Sequence, residues 1–381
     1  MSIPVRRSED AGGPGRSDSA RPAAQALRFT GGNEFHAELK RRVELFFHET
    51  GRPQRDHPAM YVKAAAILTC FVLSYCLLVF AVSTWWQAVP LAVLVGLATA
   101  GIGFNVMHDG GHGAFSRHAG INKAAALFMD LIGGSSYLWH WKHGIFHHTY
   151  VNLTGHDVDV DMGRLARLTP HQPWWPPYRW QHWYVWPLYG VMAVKWHLFD
   201  DFRDVLTGRV GPHRVPRPRG WDLVTFLCGK SAFLSLAMGI PLLAHPWWVV
   251  LIYYAILTTT LGLVLSIVFQ LAHTVDGASF PGPPGQARRL ERPWAEHQVE
   301  ATVNFMRHNR AASWLLGGLN FQIEHHLFPR ISHVNYPAMS EVVERTCREF
   351  GVAYREHRTL GSGIASHVRW LRRMGSRGGA G

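Results

Sequence analysis

The chain has 381 residues, of which 48% are apolar, 12% aromatic and only 17% charged, against about 25% charged in ordinary soluble domains. No Asp, Glu, Lys or Arg occurs from Ala64 to Met107 or from Ser231 to Val275. An ordinary soluble enzyme is thereby excluded as the leading reading, and the net charge of +12 must sit outside these two runs.

In chain order, MSIPVRRSEDAGGPGRSDSARP has basic residues but no short apolar stretch after them, so residues 1–32 read as a flexible tail rather than a cleaved signal. The segment NEFHAELKRRVELFFHET repeats Phe35, Leu39, Val43 and Phe46 or Phe47 along one side. This predicts a helix, set either at the membrane interface or against the rest of the protein. A helix rises about 1.5 Å per residue, so about 20 residues cross the hydrocarbon core and each uncharged run holds two crossings. Transmembrane hairpins are therefore expected near 64–107 and 228–270, with crossings near 64–84, 88–107, 228–245 and 248–270. Trp85, Trp86 and Pro90 interrupt the first run, and Pro241, Pro246, Trp247 and Trp248 the second, as suits turns at a membrane surface. Lys230 is expected to extend its stem to the interface.

Between the hairpins, Ala124 to Trp139 reads as an interfacial or partly inserted helix broken by Gly133, Gly134, Ser135 and Ser136. The stretch WQHWYVWPLYGVMAVKWHLF, running on into DDFRDVL, reads as a second interfacial helix. After Asp276, helical patterns are expected through 294–316 and around 337–350, and 361–381 reads as a flexible basic tail. Cys70, Cys76, Cys228 and Cys347 lie in or beside apolar runs or in the C-terminal part and suggest reduced packing residues, not a disulfide scaffold. The fold class is thus an all-α integral membrane protein, with residues 33–360 as its working unit. Lys and Arg are absent from both short outer turns. The positive-inside rule then places both termini and the middle segment in the cytoplasm of a multi-pass cell-membrane protein. The basic face suits anionic lipid headgroups of the bilayer or an acidic redox partner, not nucleic acid.

Three histidine clusters occur where charge resumes: HDGGH at His108–His112, HGIFHH at His143–His148 and QIEHH at Gln322–His326. His108 and His112, like His143 and His147, stand four apart and share a helical face if the helix continues. His148 then points elsewhere and could reach a second ion. Each cluster alone could also be a structural polar group. Gly110 and Gly111 leave room for close packing or a nearby ligand. His273 closes the last crossing, where an imidazole escapes burial in lipid, and it is counted as an eighth ligand. His140 is read as an interfacial side chain more than a ligand, while His297 and Gln298 could orient helices or shape the site. Gln322 could be a weak ligand or a donor behind the ligands. Asp109, Asp157, Asp159, Asp161 and Glu324 are candidates for balancing charge around the ligands, with helix capping and solvent exposure as the plain alternatives. Imidazoles suit iron or zinc, no thiolate cluster suggests another metal, and eight of them could serve two irons.

At these clusters the sequence resembles the membrane fatty acid desaturase family, from about Phe35 to Arg355. HDGGH looks like its first histidine box, HGIFHH its second, and QIEHHLFP the glutamine form of its third. The resemblance implies a cytosolic di-iron centre held by His108, His112, His143, His147, His148, His273, His325 and His326. It also implies dioxygen as co-substrate, two electrons from outside, and desaturation of a long-chain acyl lipid, acyl-CoA or acyl-carrier-protein ester. Many glutamine-box relatives carry a fused cytochrome b5 domain. The first 60 residues here hold no HPGG motif, so a separate ferredoxin or cytochrome b5-like donor is expected. A hydroxylase, ketolase or epoxidase on the same scaffold is the nearest alternative, and a non-oxidative metal-binding membrane protein a more distant one.

Overall fold

The computed structural model describes residues 28–282, 289–290 and 292–378. The expected tail before Arg28 and the last three residues lie outside that range. Helix α1, Glu34–Thr50, has Glu34 in its first turn and ends on Gly51 in the left-handed conformation, the arrangement that favours the dipole and satisfies the last carbonyls. Its buried face of Phe35, Leu39, Val43 and Phe47 packs with Ile323, Leu327, Met339 and Val343 of the polar body. Of the two settings open to α1, the structure thus shows the packed one. Each such side chain contributes about 1.5–3 kcal/mol on full burial.

Among the described residues, four helices are long and apolar enough to cross a membrane: α2, Pro58–Ala81; α3, Trp85–His112; α9, Trp221–Ala244; and α10, Trp247–His273. They form the two expected hairpins, each crossing several residues longer than its uncharged core, and make this a multi-pass membrane protein. Phe80, Trp85, Leu243 and Trp247 are exposed, as suits side chains that face lipid. Where helices meet, small residues allow backbones to approach. A Cβ on Gly262 of α10 would stand 2.5 Å from the carbonyl oxygen of Tyr189. That oxygen belongs to α7, Gln181–Lys195, which lies along α10 and continues through a π turn into α8, Asp201–Thr207.

The first segment between the hairpins is shorter-stepped than a single interfacial helix. It consists of α4, Ala119–Ala126; α5, Phe128–Leu131; and α6, Ser136–Trp139, the last running into a π turn over His140–His147. Gly133 breaks it with φ +103. Strands β1, Arg209–Val210, and β2, His213–Arg214, form a small antiparallel hairpin before α9.

Three further expectations are corrected. Residues 294–316 are two helices, α11, Trp294–Ala301, and α12, Arg310–Leu315. Between them the chain extends so that Asn304–Phe305 pairs in parallel with Glu356–His357. The C-terminal segment is not a tail at its start: α15, Leu360–Gly375, has a capping box at Thr359 and Ser362 and buries Trp370, Leu371 and Met374. The Trp370 indole donates to the Leu168 carbonyl at 2.9 Å. The remaining helices are α13, Gln322–Leu327, and α14, Tyr336–Glu349.

Lys230 is the third. Instead of reaching the interface it is 4% exposed, donates to the Gly133 carbonyl at 2.6 Å and pairs with Asp201 at 2.8 Å. It ties α9 to the loop before α6 and to α8. A buried ion loses several kcal/mol when its partner is removed. Asp201→Ala is therefore expected to destabilise the protein by about 3–5 kcal/mol, read as a lower unfolding temperature in detergent. The double change Lys230→Met with Asp201→Leu recovers most of it, and equal losses in both variants would contradict the pairing argument.

Candidate metal centre

Helix α3 carries the first histidines. A π turn at Gly103–Met107 precedes its last turn, His108–His112, and sets the two rings with centroids 4.8 Å apart. The second cluster lies in the π turn after α6. Bonding from i to i+5 in such a turn brings residues five apart over one another, so the His143 and His148 Nε2 atoms come within 3.3 Å. Helix α10 delivers His273, and α13 delivers His325 and His326, all three buried.

The side chains converge as two groups. His108, His112, His143 and His325 place one ligand atom each within 4.8 Å of one another, and His147, His273 and His326 do the same. His143 and His147, on their shared face, enter different groups and also meet each other in a third set with Asp159. His148 stands between them: its ring stacks on His326 at 4.5 Å and meets His112 edge-on at 4.7 Å.

The residues present fit a pair of metal ions. Buried and without a hydrogen-bond partner are the Nε2 atoms of His112, His147, His273, His325 and His326. Each buried unpaired polar atom costs about 1–3 kcal/mol, so so many facing one space need a common partner. His108 and His143 Nε2 are 3.2 Å apart, close to the spacing of two ligands at right angles on bonds of about 2.1 Å. Burial, reinforced by the neighbouring imidazoles, holds His148, His325 and His326 far below the ordinary histidine range. Burial also lowers His143, against the pull of Asp159. Their lone pairs are consequently free.

The outer ring nitrogens fix the orientation. His147 Nδ1 lies 3.0 and 3.1 Å from the two oxygens of Asp157, and this carboxylate outweighs burial to raise the His147 pKa. Asp157 also accepts from the backbone N–H of Asn152 and Asp159. His326 Nδ1 is 2.9 Å from Gln298 Oε1, His325 Nδ1 is 3.4 Å from the Tyr336 hydroxyl, and His143 Nδ1 is 3.5 Å from Asp159. Partners of this kind select the tautomer that presents Nε2 inward.

The other candidates are placed elsewhere. Asp109 accepts from the His333 backbone and pairs with its ring Nδ1 at 3.0 Å, and Lys63 Nζ lies 2.8 Å from the other ring nitrogen, Nε2. Glu324 is held by Asn304 and the Tyr354 hydroxyl. Gln322 is buried in the first turn of α13. Asp161 accepts from the Gly163 N–H at the surface, His140 is exposed against Trp141, and His297 packs on Phe29. Tyr336 has no sequence signal near the histidines. Trp139 had one, four residues before His143. It stacks on His143 with centroids 4.8 Å apart and meets His112 at 5.0 Å, which makes it a wall of the centre.

Gly111 is the reason Trp139 can be there. A Cβ on Gly111 would stand 2.2 Å from the Trp139 ring. Gly111→Ala is expected to push the ring onto His112 and His143 and cost about 1–3 kcal/mol of overpacking. Less iron per chain with the helical content kept would show it, and normal loading would refute it.

A family model described as fatty acid desaturase matches residues 83–358. The chain is 35% identical over 353 residues to an sn-1 linoleoyl-lipid 6-desaturase of Synechocystis sp., covering 92% of this chain and 98% of that protein. It is likewise 35% identical over 341 residues to the enzyme of that name from Arthrospira platensis, covering 89% and 92%. An acyl-lipid (8-3)-desaturase of Physcomitrium patens is 33% identical over 349 residues, covering 90% of this chain and 72% of the relative.

Proposed function

The chain belongs to the membrane fatty acid desaturase family, and from that premise we propose that it introduces a carbon–carbon double bond into a long-chain acyl lipid at a di-iron centre. The family and the histidine geometry mark it as an oxygen-dependent fatty acyl desaturase. The ligands are His108, His112, His143, His147, His148, His273, His325 and His326. The observation that carries the assignment is the convergence of all three clusters and His273 in adjacent buried groups, with the Nε2 atoms of His112, His147, His273, His325 and His326 unpaired.

When bound, the irons supply the oxidising power, from dioxygen and two electrons, to take hydrogen from an unactivated methylene, which acid–base side chains cannot do. The balanced reaction removes two hydrogens from adjacent carbons, consumes one dioxygen, two electrons and two protons, and releases two waters. The protein's own part is positioning. Asp157, Gln298 and Tyr336 hold the rings, Asp157 and Asp159 supply negative charge beside a set of neutral imidazoles, and Trp139 closes one wall. The acyl tail reaches the histidines among the ends of the apolar helices while its head stays at the basic, cytosolic face. A ferredoxin or cytochrome b5-like protein delivers the electrons there.

The test supplies iron-loaded protein with oxygen, a competent electron donor and acyl lipids, and locates double bonds in the product by mass spectrometry. A new double bond without retained oxygen is expected. Oxygen incorporated without a double bond would assign the chain to hydroxylation or epoxidation instead.

A further inference from the structure

From Val205 to Trp221 the sequence holds Arg209, Arg214, Arg217 and Arg219 and no acidic residue. Arg209 and Arg214 are direct partners across the β1–β2 pair, which puts two like charges on one face where they repel. No carboxylate of the described residues forms an ion pair with Arg209, Arg214 or Arg217. Gly208, with φ +63, leaves its Cα side open to the stem of Arg217, which a Cβ there would approach to 3.4 Å. Thr207, Gly208, Arg209, Arg214, Val215 and Arg217 line one cavity of about 340 Å³. Uncompensated guanidinium groups around an open cavity favour a multiply charged oxyanion, and their planar forks match phosphate.

The cavity is anchored to the metal centre and to the membrane boundary at once. Val210 and Val215 are buried with Leu138 and Phe146, and His213 stacks on Phe146 at 3.9 Å and approaches the His156 carbonyl at 2.7 Å. Phe146 lies in the π turn that carries His143 and His147. On the other side, Trp221 opens the membrane-spanning helix α9 and is 81% exposed, the place of an interfacial anchor. The arginines thus lie just before the start of a membrane-spanning helix, on the flank of the second histidine segment.

We propose that Arg209, Arg214 and Arg217 form a phosphate-binding site that holds the headgroup of an anionic acyl phospholipid, the substrate whose tail enters the histidine centre. The site rests on the desaturase reading for its role as a substrate site, but not for its binding chemistry. A headgroup fixed here sets how far along its chain the acyl group reaches, and so links lipid class to the position of the double bond.

The experiment titrates full-length protein in detergent with a fluorescent short-chain phosphatidylglycerol, with phosphatidylcholine, CoA and inorganic phosphate as competitors. Arg209→Gln/Arg214→Gln/Arg217→Gln is expected to weaken binding by at least about tenfold and to raise KM for the anionic lipid by a similar factor, with a smaller change in kcat. Phosphatidylcholine, CoA and phosphate are expected to compete at least about tenfold more weakly than unlabelled phosphatidylglycerol. Unchanged binding by the triple variant, or competition by any of the three as strong as by phosphatidylglycerol, overturns the proposal. Where the triple variant unfolds, the three single variants decide, each expected to lose about two- to fivefold. Binding is read without turnover, so a protein that holds the lipid through these arginines yet forms no double bond would count against the catalytic reading alone.

Discussion

His326→Ala is expected to reduce desaturation by roughly three orders of magnitude or more, since no acid–base group substitutes for the metals in breaking an unactivated C–H bond. It should also lower the iron bound per chain. His326 belongs with His147 and His273, so its loss leaves that group with two of its three imidazoles and Gln298 without its ring partner. His147→Ala should do the same to this group. His112→Ala should act on the other, which keeps His108, His143 and His325. Elemental analysis of the purified variants checks the iron. Unchanged iron in all three would reject a shared site, however activity behaved.

A control comes from the same stretch of sequence. His140 lies in the π turn with His143 and His147, yet it is exposed and points to Trp141. His140→Ala is therefore expected to leave iron binding unchanged. Position in a histidine-rich string does not make a ligand; delivery to the buried space does.

The same distinction marks what the sequence could reveal. The hairpins were legible because a bilayer imposes a length and a composition on any helix that crosses it. The three clusters were legible because spacing on a helix sets direction. The division between the two groups was not, since α-helical geometry pairs His143 with His147, whereas the π turn aligns His143 with His148. Long-range partners were equally hidden. Lys230 looks like an ammonium that needs water until Asp201 and the Gly133 carbonyl are brought to it. The pattern Trp370, Leu371 and Met374 is a helical face within an arginine-rich end, and its meaning depends on Leu168 two hundred residues away. The extended pair that splits 294–316 likewise depends on Glu356–His357. Each failure of the local reading lies where a distant segment, not a local propensity, decides the conformation.

Asp157→Asn should separate orientation of the metal ligands from support of the fold. Asp157 is 2% exposed and holds His147 Nδ1 with both oxygens while accepting two backbone N–H groups. The amide keeps the shape and one acceptor oxygen, enough for part of the loop bonding, but removes the negative charge that makes His147 a stronger donor. Loss of such a partner typically costs 10–100-fold in metal affinity, and that range is expected here for the group containing His147, measured by competition with a chelator. Gln298→Leu should cost less, because the His326 ring loses a neutral acceptor and no charge. Asp157→Ala removes both roles at once, leaving the Asn152 and Asp159 N–H groups unpaired at about 1–3 kcal/mol each, so its unfolding temperature should fall as well. The discriminating pair is therefore affinity without instability in the Asn variant, and both losses in the Ala variant. Unchanged iron affinity in Asp157→Asn would make this carboxylate a brace for the loop after the second histidine segment, with no part in presenting His147 to the metal.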